Sequence, residues 1–256
     1  MQTLILVGTE NRLLETQLLV ALIVFLATLI RSTFGFGEAL VAVPLLALLI
    51  PIEEAVPLAT LLSVTVAALV MLQDWRHVHP RAALRLILST LLGLPLGLLL
   101  LTRAPEGIVK ATLGLVMITF SSFCLFSRNL PELTTERGAW GFGFLAGILG
   151  GAYGMNGPPL VVYGTLRRWS PQQFRATLQG YFLPASLLGL CGYGLAGLWT
   201  RQINQNFLVS LPGALIAIWC GRVLNRRLQA TAFRRYVHAG LLLLGIVLLA
   251  QSLTLN

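Results

Sequence analysis

Residues 139–166 are apolar almost throughout, with one interruption: Gly150-Gly151-Ala152-Tyr153-Gly154-Met155-Asn156-Gly157-Pro158-Pro159. Pro158 and Pro159 donate no backbone N–H, and Pro159 pushes Pro158 out of the α region, so one continuous helix is disfavoured. Hydrocarbon cannot satisfy the backbone groups that a break frees. A break at membrane depth must therefore line a cavity or be buried in protein. The first half of the chain carries a second interruption, Phe34-Gly35-Phe36-Gly37-Glu38-Ala39. Paired discontinuous helices are how many transporters build a substrate site near the bilayer midplane.

Composition places the chain in the membrane. Of its 256 residues 56% are hydrophobic and 11% charged, with mean hydropathy +0.82, against about 25% charged in soluble domains. The apolar runs are long and unbroken rather than short and alternating, which excludes an outer-membrane barrel and leaves an all-α polytopic bundle. The net charge of +9 does not indicate nucleic acid, because the arginines sit between apolar runs, where they set topology. Residues 3–7 are too short for a signal-peptide core and Glu10 and Glu15 follow, so no cleavable leader is expected. There is no lipidation motif and no phosphate-binding loop, and no cofactor is expected. Cys124, Cys191 and Cys220 lie apart and read as small buried hydrophobes.

The run 18–50 is too long for one span of about 20 residues, and reads as two helical pieces meeting at residues 35–37. Spans are expected at 55–72, 84–101 and 106–126. The second half repeats the plan, with a broken run at 139–166 and spans at 174–198, 207–224 and 233–253. The chain thus divides into repeats at 1–128 and 139–256, joined by a polar connection at 129–138. A shift of about 120 residues brings Gly37 onto Gly157 and Pro51 onto Pro171. If each broken run goes in and returns, the halves are inverted, and one side collects most of the arginines, including Arg76, Arg128, Arg137, Arg167, Arg168 and Arg222. If each run crosses once, that contrast largely disappears, so the positive-inside rule favours inversion and places both chain ends outside the cytoplasm. Gly93 and Gly97 form a G-x-x-x-G, which serves either packing within the chain or a homodimer.

Arg31 and Glu38 are charges inside an apolar run, each costing about 2.5–3.5 kcal/mol at a span's centre. Seven residues apart, they share a face of a continuous helix. One reading has Arg31 draw an anion while Glu38 pairs with it or titrates as the carrier of a coupling proton. The other has Arg31 snorkel to the interface and Glu38 cap the second half-helix. Asn156 offers a donor and an acceptor at the second break, and a helix beginning at Pro158 or Pro159 would aim free N–H groups and a positive dipole end at the gap. Phe36 and Met155 occupy similar places and either gate or pack. Arg175 and Gln179, four apart on one helix face, form either an outer anion relay or, for Arg175, a topology signal. His77, His79 and Asp74 lack further ligands for a metal. His238 reads as a hydrogen-bonded core residue.

Phe34-Gly35-Phe36-Gly37 with Pro44, and the run from Gly150 to Pro159, resemble the duplicated motifs of the TauE/SafE sulfite exporter family over nearly the whole chain. The resemblance implies a secondary transporter of the bacterial inner membrane moving sulfite, sulfonates or related small organic anions, mostly outward. By position it implies that Gly35, Gly37, Gly154, Asn156 and Gly157 line a central site. Glu38 after Gly37, and Asn156 and Pro158 in the second motif, depart from a plain glycine run. An importer of such anions is the alternative within the class. A membrane scaffold or assembly protein is the alternative outside it.

Overall fold

The computed structural model describes residues 2–74, 80–126, 132–227 and 230–254. Among them the fold is all-helical, with ten helices and no strand. In order these are α1 (Gln2–Phe34), α2 (Glu38–Leu46), α3 (Ile52–Asp74), α4 (Pro80–Arg103), α5 (Glu106–Phe126), α6 (Gly138–Tyr153), α7 (Gly157–Leu166), α8 (Pro171–Leu195), α9 (Arg201–Arg227) and α10 (Ala230–Thr254). Stretches of α1, α3, α4, α5 and α9 are long and apolar enough to cross a membrane; those of α8 and α10, Gly180–Leu195 and Val237–Ser252, are shorter. Helix starts follow local chemistry. Glu53 and Glu54 occupy the first turn of α3, where carboxylates meet the positive dipole end. Ser170 and Gln173 close a capping box on α8.

Both breaks fall where the glycines are. Gly35, Gly37 and Gly154 take φ of 86°, 101° and 63°, a left-handed region that costs other L-residues about 1–2 kcal/mol. The prolines stand, as the sequence suggests, at the start of the second half-helix. α7 begins at Gly157, and Pro158 and Pro159 lie in its first turn, where a missing N–H breaks no helical bond. The interruption itself is residues 154–156.

α6 and α7 hold 16 and 10 residues, about 24 and 15 Å of helix, each short of the roughly 30 Å hydrocarbon core. Their outer ends meet. The Leu133 N–H donates to the Leu166 carbonyl at 2.8 Å. Arg167 Nη1 donates to the carbonyls of Leu133 and Thr134 at 2.8 and 2.7 Å, and Arg168 pairs with Glu132. The second broken run therefore ends beside the segment from which it starts.

Packing is reciprocal between the halves. α4 lies along α6 and α9 along α1; α3 faces α8 and α5 faces α10. The α4–α6 contact is the tightest. A Cβ on Gly93 would sit 2.1 Å from the Phe144 carbonyl oxygen, one on Gly97 2.0 Å from that of Ile148, and one on Gly151 2.2 Å from that of Leu94. The G-x-x-x-G face of α4 is thus spent inside the chain, against Gly143, Gly147 and Gly151 of α6, and has no room for a second copy. The cysteines also differ from expectation: Cys124 and Cys220 are half-buried and Cys191 is exposed. His77 and His79, with Arg76 and Arg128, lie outside the described residues, as does the side chain of Asp74.

Candidate functional site

The two breaks meet. One cavity is lined by Arg31, Phe36, Gly37, Glu38, Ala39 and Leu40 from the first and by Gly154, Met155, Asn156, Gly157 and Pro158 from the second, with Ser63 of α3 and Phe182 of α8 completing it. Gly35 turns the chain into this region one residue before Phe36, its N–H bonded to the Arg31 carbonyl at 2.6 Å.

Arg31 is 3% and Glu38 2% exposed. Arg31 Nη1 donates to Glu38 Oε2 at 2.6 Å and to Ser63 Oγ at 2.5 Å. Thr28 Oγ1 donates to the other carboxylate oxygen at 3.1 Å. Glu38 does not cap α2: the N-cap residue is Gly37, and Glu38 stands in the first turn, its negative charge at the positive helix end. Arg31 does not snorkel; its guanidinium lies 5.3 Å from the centre of the Phe182 ring, a cation–π distance. Only one edge of Arg31 is used. Among the described residues, Nε and Nη2 are buried without a hydrogen-bond partner, and so is Asn156 Nδ2. Nε and Nη2 together form the side-on fork with which arginine binds an oxyanion in bidentate fashion.

The second break is braced from outside. Tyr193 of α8 donates to the Gly150 carbonyl at 2.6 Å, a second bond to an oxygen in the last turn of α6. The Gly154 and Met155 N–H groups return to the carbonyls of Gly150 and Leu149. Gly150 has no side chain because Asn156 needs the space: a Cβ there would lie 2.5 Å from Asn156 Oδ1. Tyr181 hydrogen-bonds Thr90, and Tyr153 bonds Thr112 and the Val109 carbonyl of α5. Ser63 and Ser186 Oγ stand 3.5 Å apart, linking α3 to α8 beneath the arginine.

The sequence expectation that the start of α7 aims several N–H groups at the gap is reduced by the prolines. Pro158 and Pro159 supply none, so Gly157 is the donor left in that first turn before Leu160. The open donors among the described lining residues are side chains, Arg31 Nε and Nη2 and Asn156 Nδ2. Met155 is buried and Phe36 half-buried, edge-on to Phe174 at 6.3 Å between ring centres. Arg175 and Gln179 fall in the first turns of α8, and their side chains lie outside the described residues. Thr28, Ser63, Phe182 and Ser186 belong to this site or its support and carry no local sequence signal; they arrive from spans that read only as apolar. No group of three metal-ligating side chains occurs among the described residues.

A family model described as Sulfite exporter TauE/SafE matches residues 20–248. No curated protein and no solved structure gives a significant match.

Proposed function

The chain belongs to the TauE/SafE sulfite exporter family, a transporter family of multi-pass membrane proteins with small anionic substrates, and on that premise we propose that it is a secondary transporter exporting sulfite, a sulfonate or a related small organic anion across the bacterial inner membrane. One observation carries the reading. Three buried N–H donors, Arg31 Nε and Nη2 and Asn156 Nδ2, belong to the lining of one cavity and have no hydrogen-bond partner among the described residues. Buried donors left unsatisfied cost about 1–3 kcal/mol each, and an oxyanion repays that cost. A headgroup with three oxygens suits two donors on the arginine fork and one on Asn156.

The transport cycle follows from the fold. The two halves are taken as inverted repeats, a reading supported by the reciprocal packing of α4 on α6 and α9 on α1 and by the return of the α6–α7 run. Rocking of one half against the other exposes the site to either side in turn. In this reading Glu38, the carboxylate among the described lining residues, is the group that would carry a coupling proton. Direction follows the gradients: if a proton travels with the anion, an alkaline cytoplasm favours import, and export runs when the outward anion gradient exceeds that pH gradient.

The test is uptake of labelled sulfite into proteoliposomes under an imposed pH gradient, for the wild type and Asn156→Ala. Flux in the wild type with KM raised about 10-fold or more in the variant is expected, since a hydrogen bond to a charged group contributes about 1.5–3 kcal/mol. Silence with sulfite and with a panel of sulfonates and small carboxylates would transfer the weight to a scaffold role.

A further inference from the structure

We infer that a monovalent anion crosses this protein together with one proton, carried on Glu38, so that the binding site is electrically neutral both empty and loaded. The inference rests on the anion-transport reading and deepens it by fixing the co-substrate and its stoichiometry.

The argument is one of charge balance. The empty site holds one cation and one anion, Arg31 and Glu38, joined at 2.6 Å. Both are almost wholly buried. The open fork of Arg31 is the edge opposite Nη1, so an anion can bind there without displacing Glu38. Binding alone, however, leaves two negative charges around a single guanidinium. The surplus charge is buried beside Phe36, Met155 and Phe182, and an uncompensated ion in such a place costs several kcal/mol. A proton on Glu38 removes that surplus. It comes from the aqueous side facing the open site and forms an O–H bond at Oε1, where Thr28 now donates. The Thr28 hydroxyl turns to accept, and Nη1 keeps Oε2. On the far side the anion and the proton leave together, and the original ion pair re-forms.

Among the other described groups near Glu38, the rival carrier is His238. α1 contributes Arg31 and Thr28, and α3 contributes Ser63. α8 and the second break contribute Ser186, Phe182 and Asn156, none of which titrates in the working range. α10 contributes His238, which lines an adjoining apolar chamber with Gly37 and Leu40 and packs edge-on against Phe120. Among the described residues lining the two chambers, Glu38 is the single carboxylate.

The probe is labelled methanesulfonate, which stays a monoanion across the working pH range and cannot bring its own proton. Wild-type protein in proteoliposomes is given either a pH gradient with the potential clamped at zero, or a potassium-diffusion potential without a pH gradient. Accumulation of about tenfold per pH unit on the alkaline side, one proton per anion, and a change of less than twofold with the potential are expected. Flux that follows the potential and ignores the pH gradient would overturn the inference while leaving anion transport standing. Protons moving opposite to the anion would do the same. Absence of both methanesulfonate and sulfite flux would overturn the transport reading and this inference together. Glu38→Gln is expected to make residual flux respond to the potential and not to pH, and His238→Gln to retain the pH response; the reverse pattern would assign the proton to His238. Where Glu38→Gln does not fold, the two wild-type measurements decide.

Discussion

Arg31 is held at one edge and open at the other, and that asymmetry makes its partners testable one at a time. Removing one member of a buried ion pair leaves the other uncompensated, at a cost of about 3–5 kcal/mol, whereas replacing both with apolar residues of similar volume is often neutral. Arg31→Met and Glu38→Leu should each lower the melting temperature in detergent, and the double variant should recover most of the loss. A double variant no more stable than the singles would mean that the pair is not coupled. Arg31→Lys tests the fork. Lysine keeps the charge but cannot present two parallel donors, so anion KM should rise by about tenfold or more while the pH response survives. Arg31, Glu38 and Asn156 were legible in the sequence because polar groups inside apolar runs are conspicuous. Ser63 and Ser186 were not, because a lone serine in a span carries no signal until the helix beside it is known. The start of α7 was readable to within a residue, because proline's missing N–H suits a first turn; the break itself falls on Gly154 to Asn156.

At the scale of elements, the contact of α4 with α6 depends on missing side chains. A Cβ on Gly97 would press within 2.0 Å of the Ile148 carbonyl oxygen and 2.7 Å of the Ala152 nitrogen, both rigid backbone. Gly141, on the other face of α6, has nothing within 4 Å. Gly97→Ala should therefore cost at least about 1–3 kcal/mol and Gly141→Ala should be neutral or slightly stabilising, since alanine is the better helix former. Thermal unfolding of the two variants side by side checks this, and equal effects would contradict the packing. The positions of both broken runs and of the helices at the expected spans were readable from apolar length and glycine, though the apolar stretches of α8 and α10 are shorter than expected. The G-x-x-x-G of α4 was visible too, but its partner was not. The spacing of Gly143, Gly147 and Gly151 carries the same signal on α6, yet nothing local says that these two faces meet. The Tyr193 brace on Gly150 was likewise out of reach, because it joins residues 43 apart.

For the whole molecule, the return of the α6–α7 run places the segment before α6 and the segment after α7 on the same side. Glu132→Cys and Arg168→Cys should label with a membrane-impermeant thiol reagent from the same face of the membrane, as their ion pair requires. Labelling from opposite faces would contradict the re-entrant run. The inverted arrangement adds that a reporter active only in the cytoplasm stays silent when fused at Asn256. The central claim is that the anion is held where the two breaks meet, with Arg31 as its principal donor. It is tested most directly by sulfite uptake into proteoliposomes by the Arg31→Met/Glu38→Leu double variant, because that protein is expected to fold while lacking the fork. Uptake at least about 100-fold below wild type is expected, since the fork supplies two charge-assisted hydrogen bonds of about 1.5–3 kcal/mol each. Wild-type uptake by a folded double variant would contradict it and move the site away from the breaks.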